Sequence, residues 1–112
     1  MNMKGLIKDW IEASNTFATN KYLNFYLPDA ILEDPSVGRN FSGHTEIEEY
    51  FNSYFISYNT FTEIVKMEIL DEYQVYLEVN FTGNFPEGNI GGIFNFTFKN
   101  GKISNLKADL IH

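Results

Sequence analysis

Leu6, Ile7, Trp10, Ile11, Ser14, Phe17 and Ala18 recur at helical spacing, while Lys8, Asp9, Glu12 and Asn15 occupy the remaining positions. The pattern predicts an amphipathic first helix that needs a surface to cover. A shorter helix is expected over Lys21 to Leu27, ending before Pro28 because the residue preceding a proline is pushed out of the helical region. Ala30-Ile31-Leu32-Glu33-Asp34 then reads as a short strand closed by Pro35, and Ser36 to Gly43 as a loop of turn formers.

Thr45 followed by Glu48 has the spacing of a capping box. It opens a helix whose apolar stripe is Ile47, Tyr50, Phe51, Tyr54, Phe55 and Tyr58. After Asn59 the period changes to two. Val65, Met67 and Ile69 alternate with Lys66 and Glu68, Asp71-Glu72 makes a turn, and Tyr73, Val75, Leu77, Val79 and Phe81 share one face of a longer strand. Gly83 to Gly92 is expected to be a loop. Ile93 to Phe98 and Lys102 to Leu110 are expected strands joined at Asn100-Gly101, a hairpin signal.

Helices first and alternating strands afterwards predict an α+β roll, with amphipathic helices covering one face of a mostly antiparallel sheet. At 112 residues, with no linker, repeat or low-complexity segment, residues 1–112 are read as a single domain. Eleven Phe, seven Tyr and one Trp supply enough apolar surface for that core without staples.

Charge narrows the partners. Eight Lys and Arg against 15 Asp and Glu give a formal charge of -7, the opposite of the basic footprint that a phosphate backbone selects, so nucleic acid is not an expected partner. The absence of Cys excludes disulfides and thiolate chemistry. No apolar run has membrane-spanning length and the start lacks a signal-peptide pattern, so a cytoplasmic protein with no membrane partner is expected.

Glu33 and Asp34 are adjacent, so on a strand they point to opposite faces. Ile31 alternates with Glu33 and Leu32 with Asp34, and periodicity alone does not choose which carboxylate enters the interior. Asp34 before Pro35 fits a turn carboxylate that accepts local backbone hydrogen bonds. It also fits a general base inside an aromatic pocket, for which Trp10, Tyr26, Phe51, Tyr54, Phe55 and Phe94 are candidate walls. His44 and the terminal His112 form no ligand cluster, and Glu46, Glu48, Glu49 and Asp109 read as solvated charges, so no metal site is expected. Gly88, Gly91 and Gly92 lack the strand and helix of a phosphate-binding fingerprint, and no cofactor is expected.

At Asp29-Ala30-Ile31-Leu32-Glu33-Asp34-Pro35, followed by Gly43 and the Ile47-Tyr50-Phe51 helix, the chain resembles the NTF2-like superfamily, especially its polyketide-cyclase-like (SnoaL-like) and ketosteroid-isomerase-like branches. Phe81-Thr82-Gly83, Gly91-Gly92 and Gly101-Lys102-Ile103 fall where that superfamily's sheet would lie. The resemblance implies a cone-shaped roll, with N-terminal helices packed on a curved, mostly antiparallel sheet. By resemblance to the isomerases, Asp34 would be the catalytic base and Tyr26 a supporting tyrosine. Trp10 stands where those enzymes place the oxyanion-hole tyrosine, Phe51 at another network tyrosine, and Phe94 at the acid that completes the hole.

A phenyl ring donates no hydrogen bond to an enolate, whereas the Trp10 indole offers one donor. The expected activity is therefore cyclase- or isomerase-type chemistry on a small apolar ligand, with ketosteroid isomerisation itself disfavoured. The expected site has Asp34, Tyr26 and Trp10 as catalytic groups and Phe51, Tyr54, Phe55 and Phe94 as ligand contacts. The alternatives are a noncatalytic module for a small hydrophobic or aromatic molecule, and a structural domain that forms a homodimer through its sheet.

Overall fold

The computed structural model describes residues 1–111; the terminal His112 lies outside the described residues. The chain runs α1 (Met3–Asn15), α2 (Thr19–Asn24), β1 (Tyr26–Asp34), β2 (Arg39–Ser42), α3 (Gly43–Phe51), a π-helical segment (Asn52–Ile56), β3 (Phe61–Ile69), β4 (Gln74–Thr82), β5 (Asn89–Lys99) and β6 (Lys102–Ile111). Among the described residues, no helix is long and apolar enough to cross a membrane.

The strands form one six-stranded sheet in the order β2-β1-β6-β5-β4-β3. Every neighbouring pair is antiparallel except β1 and β6, which run parallel. The cone-shaped, curved roll implied by the resemblance is therefore corrected to an open, mixed sheet. Its end strands β2 and β3 each pair with one neighbour and not with each other, so no ladder of hydrogen bonds closes it. The α+β class and the helices packed on one sheet face stand.

The alternation along β4 holds in three dimensions: Val75, Leu77, Val79 and Phe81 are buried on the helix-covered face. They meet Phe94 and Phe96 of β5, and the core continues through Ile103, Leu106 and Ala108 of β6 to Ala30 and Leu32 of β1. From α1, Ile7 and Trp10 enter the same core. Trp10 meets Phe94 and Phe96 edge-on, each with ring centroids 5.1 Å apart, the geometry favoured by the ring quadrupole.

Several local expectations change; the loop expected over Gly83 to Gly92 ends early, because β5 begins at Asn89 and pairs with β4 through Gly91 and Gly92. The second helix ends at Asn24, and the chain is already a strand from Tyr26, with Pro28 inside it. That proline is accommodated because the β1–β6 pairing shifts register between Tyr26 and Ile31, leaving no ladder bond for it to donate. The loop after Pro35 contains the short edge strand β2. Finally, Val65 and Ile69 stay exposed, because β3 is an edge strand whose register shifts between Ile64 and Lys66. Asn15 of α1 holds β3 at Thr62, donating to its carbonyl at 2.9 Å and accepting its N–H at 2.7 Å.

Candidate functional site

The β1 register decides the orientation of the adjacent carboxylates. Ala30, Leu32 and Asp34 face the core while Ile31 is exposed, and Glu33 turns to the outer face, where Asn105 donates to it at 3.3 Å. Asp34 is only 6 % exposed. Its Oδ1 accepts the Ser36 backbone N–H at 3.0 Å and the Ser36 hydroxyl at 2.5 Å, and its Oδ2 accepts the Tyr50 hydroxyl at 2.8 Å. One oxygen thus serves the turn at Pro35, and the other faces the interior.

Tyr50 is presented by α3. The helix begins at Gly43 rather than at the expected Thr45, and the Glu46 carboxylate, in place of the expected Glu48, accepts the Ser42 backbone N–H at 3.0 Å. Gly43 has φ +77°, and a Cβ there would approach the Pro28 carbonyl oxygen at 3.3 Å, so the residue favours glycine on both counts. The His44 Nε2–H donates to the Tyr26 carbonyl at 2.9 Å and ties the start of α3 to β1. Beyond Phe51 the helix widens into the π-helical segment, a local form often found beside functional sites, and this segment carries Tyr54 and Phe55.

Asp34, Tyr50, Tyr54, Phe55, Tyr58, Phe81, Phe85 and Phe94 share the wall of a cavity of about 290 Å³, to which Ile90, Ala108, Glu87 and Asp109 also contribute. This is close to the lower end of ordinary ligand pockets, about 300 Å³. Phe55, Phe81 and Phe94 are buried, with Phe81 edge-on to both of the others at 5.8 and 5.9 Å. Tyr54 and Tyr58, 38 % and 39 % exposed, stand where the cavity meets solvent. Burial, and next the Asp34 charge, hold the Tyr50 phenol well above its usual range, so it remains a hydrogen-bond donor.

Of the residues singled out from the sequence, Asp34, Tyr54, Phe55 and Phe94 line this cavity, whereas Trp10, Tyr26 and Phe51 do not. Those three lie in the core behind it. The Trp10 Nε1–H donates to the Tyr26 hydroxyl at 3.2 Å, which donates to the Tyr22 hydroxyl at 2.8 Å, and Phe51 stacks on Tyr22 at 4.0 Å. Burial raises the pKa of both Tyr22 and Tyr26. Phe94 separates the two regions, touching Trp10 on one side and the cavity on the other.

Sequence reasoning missed Tyr50 as the partner of Asp34, although its i, i+4 relation to Tyr54 put both on one helix face. Tyr22, in a short helix, and Phe85, in a loop, carried no periodic signal. Among the described residues, no group of three or more His, Cys, Asp or Glu side chains is placed to hold a metal ion.

A model of the SnoaL-like domain matches residues 7–106. The chain belongs to the SnoaL-like family. Its NTF2-like and ketosteroid-isomerase-like resemblance is supported by solved structures of the same fold. A candidate polyketide cyclase from Sinorhizobium meliloti superposes with a TM-score of 0.84 at 20 % identity, covering 93 % of each chain. A candidate ketosteroid isomerase from Kribbella flavida gives 0.83 at 14 % identity, over 96 % of this chain and 76 % of that one. A Mycobacterium tuberculosis protein in complex with estradiol-17β-hemisuccinate gives 0.79 at 11 % identity, over 92 % and 88 %. At these identities the likeness of this SnoaL-like chain to its neighbours is one of fold. No curated protein sequence matches it.

Proposed function

We propose that this SnoaL-like protein is a small enzyme of the cyclase or isomerase type that acts on an apolar ligand in the Asp34 cavity. The observation that carries the proposal is a carboxylate, 6 % exposed, in the wall of a cavity lined mainly by aromatic rings. Asp34 serves as the general base, taking a proton from a carbon next to a carbonyl and returning it to another atom of the same molecule. The hydroxyls of Tyr54 and Tyr58, both partly exposed in the cavity wall, can donate to the oxyanion that develops. Trp10, whose one donor is engaged by Tyr26, and Tyr26 itself act from behind by holding Phe94 and the cavity wall. Steroid isomerisation is no part of the proposal, because Phe94, which stands where the resemblance puts the acid of the oxyanion hole, offers no donor. The estradiol conjugate held by the mycobacterial relative supports an apolar body for the ligand.

The test is hydrogen–deuterium exchange at the α-carbon of cyclohexanone and 2-tetralone in D2O, followed by NMR. The wild-type protein should accelerate exchange, and Asp34→Asn should lower the rate on the order of 10²-fold or more while the fold is retained. Equal rates for the two proteins defeat the mechanism. One observation favours a second reading, a noncatalytic binding module: both Asp34 oxygens already accept hydrogen bonds within the chain. Cavity binding of 2-tetralone without any exchange would select it.

A cytoplasmic homodimer formed through the outer sheet face belongs to the same proposal. Tyr76, Glu78, Asn80, Ile93 and Asn95 share that face, which the helices leave uncovered. Sedimentation at several protein concentrations tests it, and a monomer throughout removes it.

A further inference from the structure

The cavity wall carries carboxylates and rings but no cation. Among the described lining residues there is no Lys, Arg or His, while Asp34 is buried, Glu87 is exposed, and Asp109, cross-strand from Ile93, turns its side chain to the outer sheet face. Arg39 is the cross-strand neighbour of Asp34, yet its guanidinium reaches Glu46 and Glu49 at 3.8 and 3.4 Å and covers the Phe41 ring. Among the described residues, Asp34 therefore has hydrogen-bond donors but no ion-pair partner. At the solvent end stand Tyr54, Tyr58 and Phe85, the last two with ring centroids 6.1 Å apart.

Aromatic faces attract cations through the ring quadrupole, and the attraction grows as the cation is desolvated. The Glu87 carboxylate in the same cavity wall adds to it, and a net charge of -7 raises the local concentration of cations further. An anion meets repulsion here, and a neutral molecule uses the rings but not the charges. We infer that the cavity takes an organic cation, an alkylammonium group carried on an apolar body. The ammonium sits among Tyr54, Tyr58, Phe85 and Glu87, and the body packs on the buried rings beneath. The inference rests on the proposal that this cavity is the ligand site and adds the ligand's charge.

The test compares phenyltrimethylammonium with tert-butylbenzene, its uncharged isostere, by amide NMR titration of the full chain at low salt. The cation should shift the Phe81 and Phe94 amides and bind about tenfold more tightly. The variant Glu87→Gln, which changes only an exposed side chain, should reduce that preference about twofold or more, as should added salt. Equal or tighter binding of tert-butylbenzene at the same amides overturns the cation inference and leaves the ligand-site proposal standing. So does cation binding confined to residues outside the cavity when tert-butylbenzene still enters it. No shift at Phe81 or Phe94 with either probe overturns both.

Discussion

The Tyr50 hydroxyl donates to Asp34 Oδ2 at 2.8 Å, joining α3 to the end of β1 inside the cavity wall. Ser36 holds the other carboxylate oxygen, so the plane of the carboxylate is set from both sides. Tyr50→Phe removes the inner constraint and leaves Oδ2 buried without this donor. The variant is expected to lose about 1 to 3 kcal/mol of stability, measured by urea unfolding. If Tyr50 positions the base, exchange on 2-tetralone falls in kcat with little change in KM; a stability loss with kcat intact would leave Tyr50 a structural residue only.

Phe81 lies in the space that a side chain on Gly92 would fill. A Cβ at Gly92 would come within 2.3 Å of the Phe81 ring, which is itself packed against Phe55 and Phe94. Gly92→Ala therefore pushes a buried ring toward the cavity, at a cost of about 1 to 3 kcal/mol. Thermal unfolding should show the loss, and 2-tetralone should bind the variant more weakly than the wild type.

Tyr22, Tyr26 and Tyr50 all have phenols raised above the ordinary value of 10.0, with burial the largest cause in each. Below about pH 10 they are protonated in both folded and unfolded chains and contribute no pH dependence. Above it the unfolded chain releases these protons first, so stability falls by about 1.4 kcal/mol per pH unit for each phenol. The urea midpoint should hold level up to about pH 9.5 and then drop steeply. Tyr22→Phe should make the drop shallower, and an unchanged slope would show that Tyr22 does not contribute to it.

Much of the core was legible because its signal is local. The period of two in Val75, Leu77, Val79 and Phe81 and the helical spacing of Ile7, Trp10 and Ile11 survive in the structure, since each reflects a face that must leave water. Val65 and Ile69 had the same local pattern and stayed exposed, because burial also requires a covering layer and β3 lies at the sheet edge. For the site, Asp34, Tyr54, Phe55 and Phe94 were picked out from residue type and resemblance. The role of Tyr50 was not, because a hydrogen bond between α3 and β1 leaves no mark in the spacing of either segment.

By itself, the sequence determined the α+β class, the inward faces of the best-patterned elements and the acidic, aromatic character of the molecule, all of which follow from side-chain chemistry and backbone period. Only the tertiary structure decided that Asp34 rather than Glu33 turns inward, and that Trp10, Tyr26 and Phe51 stand behind the cavity. It also decided that the sheet stays open. Those outcomes depend on the parallel pairing of β1 with β6 and on the seating of α3 against β1. Such contacts between distant segments are set by packing and hydrogen-bond geometry, which no local pattern of residues encodes.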